Sequence, residues 1–85
     1  MAFEVFWTET VKQDLNALPR ELVIRIIRKV EIAKENPYHF LTKLIGRREW
    51  KLRVGDYRIF CEIGYEKNQL KVMHAEHRSR AYERD

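Results

Sequence analysis

The stretch Trp50-Lys51-Leu52-Arg53-Val54-Gly55-Asp56-Tyr57-Arg58-Ile59-Phe60-Cys61-Glu62-Ile63 decides how this chain folds. Trp50, Leu52 and Val54 alternate with Lys51 and Arg53, the two-residue period of a half-exposed strand. Gly55-Asp56 is a tight turn, and Tyr57, Ile59, Cys61 and Ile63 then alternate with Arg58, Phe60 and Glu62 in a returning strand. Glu66 to Gln69 turns the chain again, and Leu70 to His77 reads as a final strand with His74 on the same side as Leu70 and Val72. Three consecutive strands joined by turns make an antiparallel meander.

Upstream of the meander the period changes. Ala2 to Trp7 is short, aromatic and β-branched, and reads as a first strand. Thr8 supplies an N-cap with Glu9 in the first turn, and Val11, Leu15 and Leu18 form one apolar stripe before Pro19. Between Pro19 and Glu35, Leu22, Ile26, Val30 and Ala33 repeat at helical spacing, widened by Val23 and Ile27. Asn36-Pro37 stops that helix, and Tyr38 to Arg48 is a connection containing Gly46. The order β-α-α-β-β-β predicts an α+β fold: a four-stranded, mainly antiparallel sheet with a helical hairpin on one face.

A chain of 85 residues has room for one modest core, so residues 1–85 are expected to form a single domain. Hydrophobic residues make up 45% while Gly and Pro are scarce, a composition that folds. The run from Met1 to Trp7 contains Glu4 and is too short for a signal-peptide core, and no stretch approaches the roughly 20 apolar residues of a membrane span. A cytoplasmic location is expected. Cys61 has no second cysteine to pair with and sits in an apolar alternating segment, so burial is its expected state.

The net charge of +4 lies in the second half. Met1 to Thr42 holds six Lys/Arg against six Asp/Glu; Lys43 to Asp85 holds eleven against seven. A basic face on a small domain favours a polyanionic partner, either nucleic acid or an acidic protein segment. Lys51, Arg53 and Arg58 are brought together by the hairpin, because strands paired around Gly55-Asp56 place near-symmetric positions opposite or diagonal to each other. Such a trio is either a solvated sheet face with Asp56 and Glu62 as partners, or a phosphate site.

The tail His77-Arg78-Ser79-Arg80-Ala81-Tyr82 adds an imidazole, two guanidiniums and a phenol. It is either a frayed basic terminus or part of an RNA-cleaving site. Attack of a ribose 2′-hydroxyl on the adjacent phosphate needs a base, cations for the charged phosphorane and an acid at the leaving 5′-oxygen. His74 and His77 are three apart, so on a strand they point to opposite faces and cannot chelate one metal together. His39 follows Pro37 and reads as a loop residue. No phosphate-binding loop, dinucleotide glycine motif or helix-borne histidine pair is present.

The segment Leu44-Ile45-Gly46, then Trp50 to Phe60, then His77-Arg78 with Tyr82 shortly after, resembles the signature of the RelE/ParE toxin superfamily, and the order of elements resembles that fold over essentially the whole chain. The resemblance implies that Arg58 contacts the scissile phosphate, that Arg78 lies near the leaving group, that Tyr82 stacks on or deprotonates the substrate, and that Lys51 is one of two catalytic lysines. It implies RNA-binding roles for Arg48, Arg53, His77 and Arg80. The second lysine is replaced by Glu49, with Arg48 beside it, so the basic network is completed differently. Tyr82, His77, Lys51 and Glu49 are each candidates for the general base, with a structural or antitoxin-facing role as the alternative for Glu49.

This resemblance implies a toxin of a toxin–antitoxin pair: a metal-independent endoribonuclease that cuts messenger RNA on the ribosome and inhibits translation. The expected partners are a cognate antitoxin, ribosome-bound mRNA and rRNA, with no membrane, metal or small-molecule cofactor. The alternative is a ParE-like toxin that inhibits DNA gyrase by protein contact without catalysis.

Overall fold

The computed structural model describes residues 2–64 and 66–79. Its elements in chain order are β1 (Glu4–Trp7), α1 (Glu9–Asn16), α2 (Arg20–Ala33), α3 (Pro37–Phe40), β2 (Thr42–Lys43), β3 (Trp50–Val54), β4 (Tyr57–Gly64) and β5 (Gln69–His77). The sheet has five strands in the order β1-β5-β4-β3-β2. It is mixed, because β1 runs parallel to β5 while every other pair is antiparallel.

The sheet is mainly antiparallel, as expected, but it has five strands where four were expected and contains one parallel pair. The helical hairpin carries the chain back across the sheet, so β1 lies beside the last strand in the same direction. The Tyr38–Arg48 connection also holds the short α3 and the two-residue β2, which adds a rung to β3 through Thr42 and Lys51, and Lys43 and Trp50. Tyr38 of α3 packs edge-on against Phe3 and Trp50, at ring separations of 6.0 and 5.6 Å, and so ties this connection to β3 and to the residue before β1.

Thr8 caps α1, its side chain accepting from the Val11 amide at 3.2 Å. Its hydroxyl also donates to the Met73 carbonyl at 2.9 Å, which ties the cap to β5. Pro19 stands at the N-cap of α2, where its missing N–H costs nothing. Val11 of α1 and Ile26, Val30 and Ala33 of α2 are buried in one cluster with Leu52, Val54, Ile59, Cys61, Ile63, Leu70, Val72 and Ala75. Both main helices therefore cover the same face of the sheet. Cys61 lies within this core, and burial pushes its thiol up to about 12. Among the described residues no helix is long and apolar enough to cross a membrane.

One irregularity reorganises the opposite face. β4 and β5 pair Phe60 with His74 but Cys61 with Val72, leaving Met73 as an extra residue in β5. Side chains before and after this bulge are out of phase, since a one-residue insertion exchanges the two faces of a strand. His74 consequently does not share the side of Leu70 and Val72, as simple alternation predicts. It joins Phe60 on the face away from the helices.

Candidate functional site

The register of the hairpin sets the arrangement of this outer face. Lys51 is opposite Phe60, and Arg53 is opposite Arg58. On the far side of β4, Phe60 is opposite His74 and Arg58 is opposite Glu76. Cross-strand partners project to the same face. Two rows result, Lys51-Phe60-His74 and Arg53-Arg58-Glu76, which bring together the three cations expected to share a patch.

Phe60 is only 4% exposed although it lies outside the main core cluster. Its cover is polar and aromatic. The His74 ring stacks on it with centroids 4.7 Å apart and planes inclined by 23°. Arg47 stands over the same ring, its guanidinium carbon 6.0 Å from the centroid. The loop from Leu44 to Glu49 thus folds across the outer face, held by the Leu44 amide bonded to the Glu49 carbonyl at 3.1 Å.

Glu49 links that loop to the sheet. One of its oxygens is 2.5 Å from Arg47 and the other 3.2 Å from Nε2 of His74. On the other side of the imidazole, Nδ1 is 2.7 Å from Glu76. Burial pushes the Glu49 carboxyl up. The hydrogen bond to His74 and the Arg47 charge outweigh it and hold the group below the usual carboxylate range. Arg47, Glu49, His74 and Glu76 therefore form a continuous chain of polar contacts beside Lys51, Arg53 and Arg58.

Of the other expected site residues, Arg48 lines a cavity with Lys43, Gly46, Arg47, Trp50 and Glu62 beside this loop. Lys51 and Arg53 also border a groove on the β2 side of β3, shared with Lys29, Ile32, Phe40 and Thr42. The Arg78 amide donates to the Asp56 carbonyl at 2.7 Å, so the start of the tail is fixed to the turn that follows Arg53. His77 is opposite Tyr57, with the rings edge-on at 5.3 Å, and its register places it on the helix side, away from the three cations. Arg80 and Tyr82 lie outside the described residues.

Sequence reasoning missed Arg47, Glu76 and the position of His74. A trace of the last was present: the apolar residues Leu70, Val72 and Ala75 break their alternation with a step of three, the mark of a bulge. It also missed Arg25 of α2, whose guanidinium lies 3.5 Å from where a side chain at Gly55 would begin, adding a cation to the hairpin tip. Among the described residues no group of three or more His, Cys, Asp and Glu side chains could hold a metal ion.

Solved structures share the whole architecture. A chain of the RelBE2 toxin–antitoxin complex from Mycobacterium tuberculosis matches with a TM-score of 0.85 at 21% identity, covering 92% of this chain and 100% of that one. A chain of the archaeal RelE–RelB complex from Pyrococcus horikoshii matches at 0.79 and 24%, covering 94% and 99%. The isolated RelE toxin of E. coli matches at 0.79 and 20%, covering 98% of each. No curated protein matches by sequence. The family model for the ParE toxin of type II toxin–antitoxin systems, parDE, matches residues 5–82. With the RelE-like fold and this span of sequence, the chain belongs to the ParE toxin family within the RelE/ParE superfamily of type II toxin–antitoxin systems.

Proposed function

We propose that this toxin is an endoribonuclease that cuts messenger RNA on the ribosome by 2′-hydroxyl attack on the adjacent phosphate. The observation that carries the reading is the direct cross-strand pairing of Arg53 with Arg58, next to Lys51 on the same face. Like charges directly opposite one another destabilise a sheet. A bound phosphate backbone relieves that repulsion, and a guanidinium pair grips phosphate oxygens in bidentate fashion. Arg58 and Lys51 would neutralise the phosphorane. Arg78, tethered at the hairpin turn, and Tyr82 would complete the site at the leaving group and the base. Arg48, Arg53 and Arg80 would track the RNA backbone, whereas the helix-side place of His77 suits it to a flanking contact.

The M. tuberculosis and P. horikoshii neighbours are complexes of toxin with antitoxin. By analogy we expect a cognate antitoxin here, binding so as to mask the basic outer face. A cytoplasmic location follows from the proposed ribosomal substrate.

The family model bears the ParE name, which favours a second reading: inhibition of DNA gyrase by protein contact. Primer extension on message translated in vitro separates the two. Cuts in ribosome-bound message support the endoribonuclease. Uncut message, together with blocked supercoiling by gyrase, would establish the second reading instead.

A further inference from the structure

We propose that His74 is the general acid of the RNA-cleaving reaction, donating a proton from Nε2 to the leaving 5′-oxygen; this rests on the endoribonuclease reading above. The imidazole has a carboxylate at each nitrogen, Glu76 at 2.7 Å from Nδ1 and Glu49 at 3.2 Å from Nε2. Carboxylates only accept, so both contacts are hydrogen bonds when both ring nitrogens carry protons. That is the loaded state of an acid.

The two contacts differ in what could replace them. Glu76 makes the shorter bond and, from the same strand, fixes the ring from behind, as a carboxylate orients a histidine in other proton-transfer sites. Stacking on Phe60 fixes the plane. Glu49 makes the longer bond and keeps Arg47 as a partner at 2.5 Å if it releases His74. An incoming phosphate ester oxygen can therefore take the place of Glu49 on Nε2 without stranding a carboxylate.

Position agrees with this role. Arg58 is opposite Glu76, and His74 lies two residues before Glu76, so Arg58 and His74 are diagonal neighbours roughly 7–8 Å apart on one face. A phosphate held by Arg58 would therefore lie on the same face as the His74 ring, beside it. The Met73 bulge is what allows it, because without the extra residue His74 would face the helices.

In the step itself the ribose O2′ forms a bond to phosphorus while the P–O5′ bond breaks, its electron pair remaining on O5′. O5′ takes the Nε2 proton of His74, and the general base takes the proton of the 2′-hydroxyl and releases it to water. Water then reprotonates His74. The products are a 2′,3′-cyclic phosphate end and a 5′-hydroxyl end, and no other reactant is consumed. His74 is the catalytic residue and Glu76 a positioning residue.

The test compares two messages, one natural and one with sulfur replacing the bridging 5′-oxygen at the position that the parental protein cuts. A thiolate leaves without a proton. His74→Gln, with folding checked by circular dichroism, is expected to cut the natural message about a hundredfold or more slowly and the sulfur message close to the parental rate. Glu76→Gln is expected to show the same pattern more weakly, and carries the test if His74→Gln does not fold. Folded His74→Gln that cuts the natural message at the parental rate, or that loses both messages equally, overturns the assignment while leaving the endoribonuclease reading intact. Parental protein that cuts no ribosome-bound message overturns both.

Discussion

The Asp14 carboxylate of α1 accepts a hydrogen bond from the Ala75 amide of β5 at 3.0 Å, across 61 positions of chain. β1 ends at Trp7, opposite Val72, so the remainder of β5 has no strand on that side. Asp14 supplies the acceptor a neighbouring strand would give, and with Thr8 on the Met73 carbonyl it fixes α1 along the edge. Asp14→Ala leaves a partly buried amide unpaired and is expected to lower stability by about 1–2 kcal/mol. Urea denaturation measures this as a lower midpoint at unchanged slope; an unchanged midpoint would mean that water serves that amide equally well.

Glu49 makes the outer face sensitive to acid. Its carboxyl stands below the usual range in the folded protein, through His74 and Arg47 acting against burial, so the folded state binds its proton less tightly than the unfolded chain does. The stabilisation is complete above the unfolded value, near 4.5, and is lost as pH falls through the lower folded value. Urea midpoints measured from neutral pH down to pH ~3 are expected to fall less steeply for Glu49→Gln than for the parental protein. Parallel curves would show that ionisation of Glu49 adds no stability.

Gly55 adopts φ +58°, in the left-handed region. The nearest group to an added methyl would be the Arg25 guanidinium at 3.5 Å, an ordinary contact. The cost of Gly55→Ala therefore lies in the backbone and is expected to be about 1 kcal/mol. A loss well above that, seen in the same denaturation assay, would mean that Arg25 is displaced and matters to the turn.

Much of this architecture is legible in the sequence wherever period and local chemistry decide. The stripes of both main helices, the Thr8 cap and the hairpin around Gly55-Asp56 follow from spacing within a few residues, and so does the shared face of Lys51, Arg53 and Arg58. The parallel pairing of β1 with β5 joins opposite parts of the chain and has no local signal. β2 is two residues long and shows no period. The path of the Leu44–Glu49 loop, which sets Arg47 over Phe60, is fixed by packing and ion pairing. The Met73 bulge alters which face His74 occupies through one extra residue, and its only sequence trace is the interrupted apolar alternation.

Arg58 is the residue on which the proposed chemistry turns. It sits in β4 between Arg53 and Glu76, so its guanidinium is presented from the central strand of the sheet, hydrogen-bonded on both sides. Such a preorganised donor needs no reorganisation when charge develops on the phosphorane, and removing one costs on the order of 3–4 kcal/mol of transition-state stabilisation. Its loss from the outer face removes both the repulsion with Arg53 and the attraction of Glu76 on its other side, so the change in folding stability is expected to stay within about 1 kcal/mol. Arg58→Ala is thus expected to fold, to cut ribosome-bound message roughly a hundred- to a thousandfold more slowly, and to permit growth when expressed without antitoxin. Arg58→Lys keeps the charge but not the planar fork, and is expected to recover only part of the rate. Circular dichroism, primer extension and growth curves on the same variants test all of this. Folded Arg58→Ala that arrests growth and cuts message at the parental rate would remove Arg58 from the reaction and the proposed site with it.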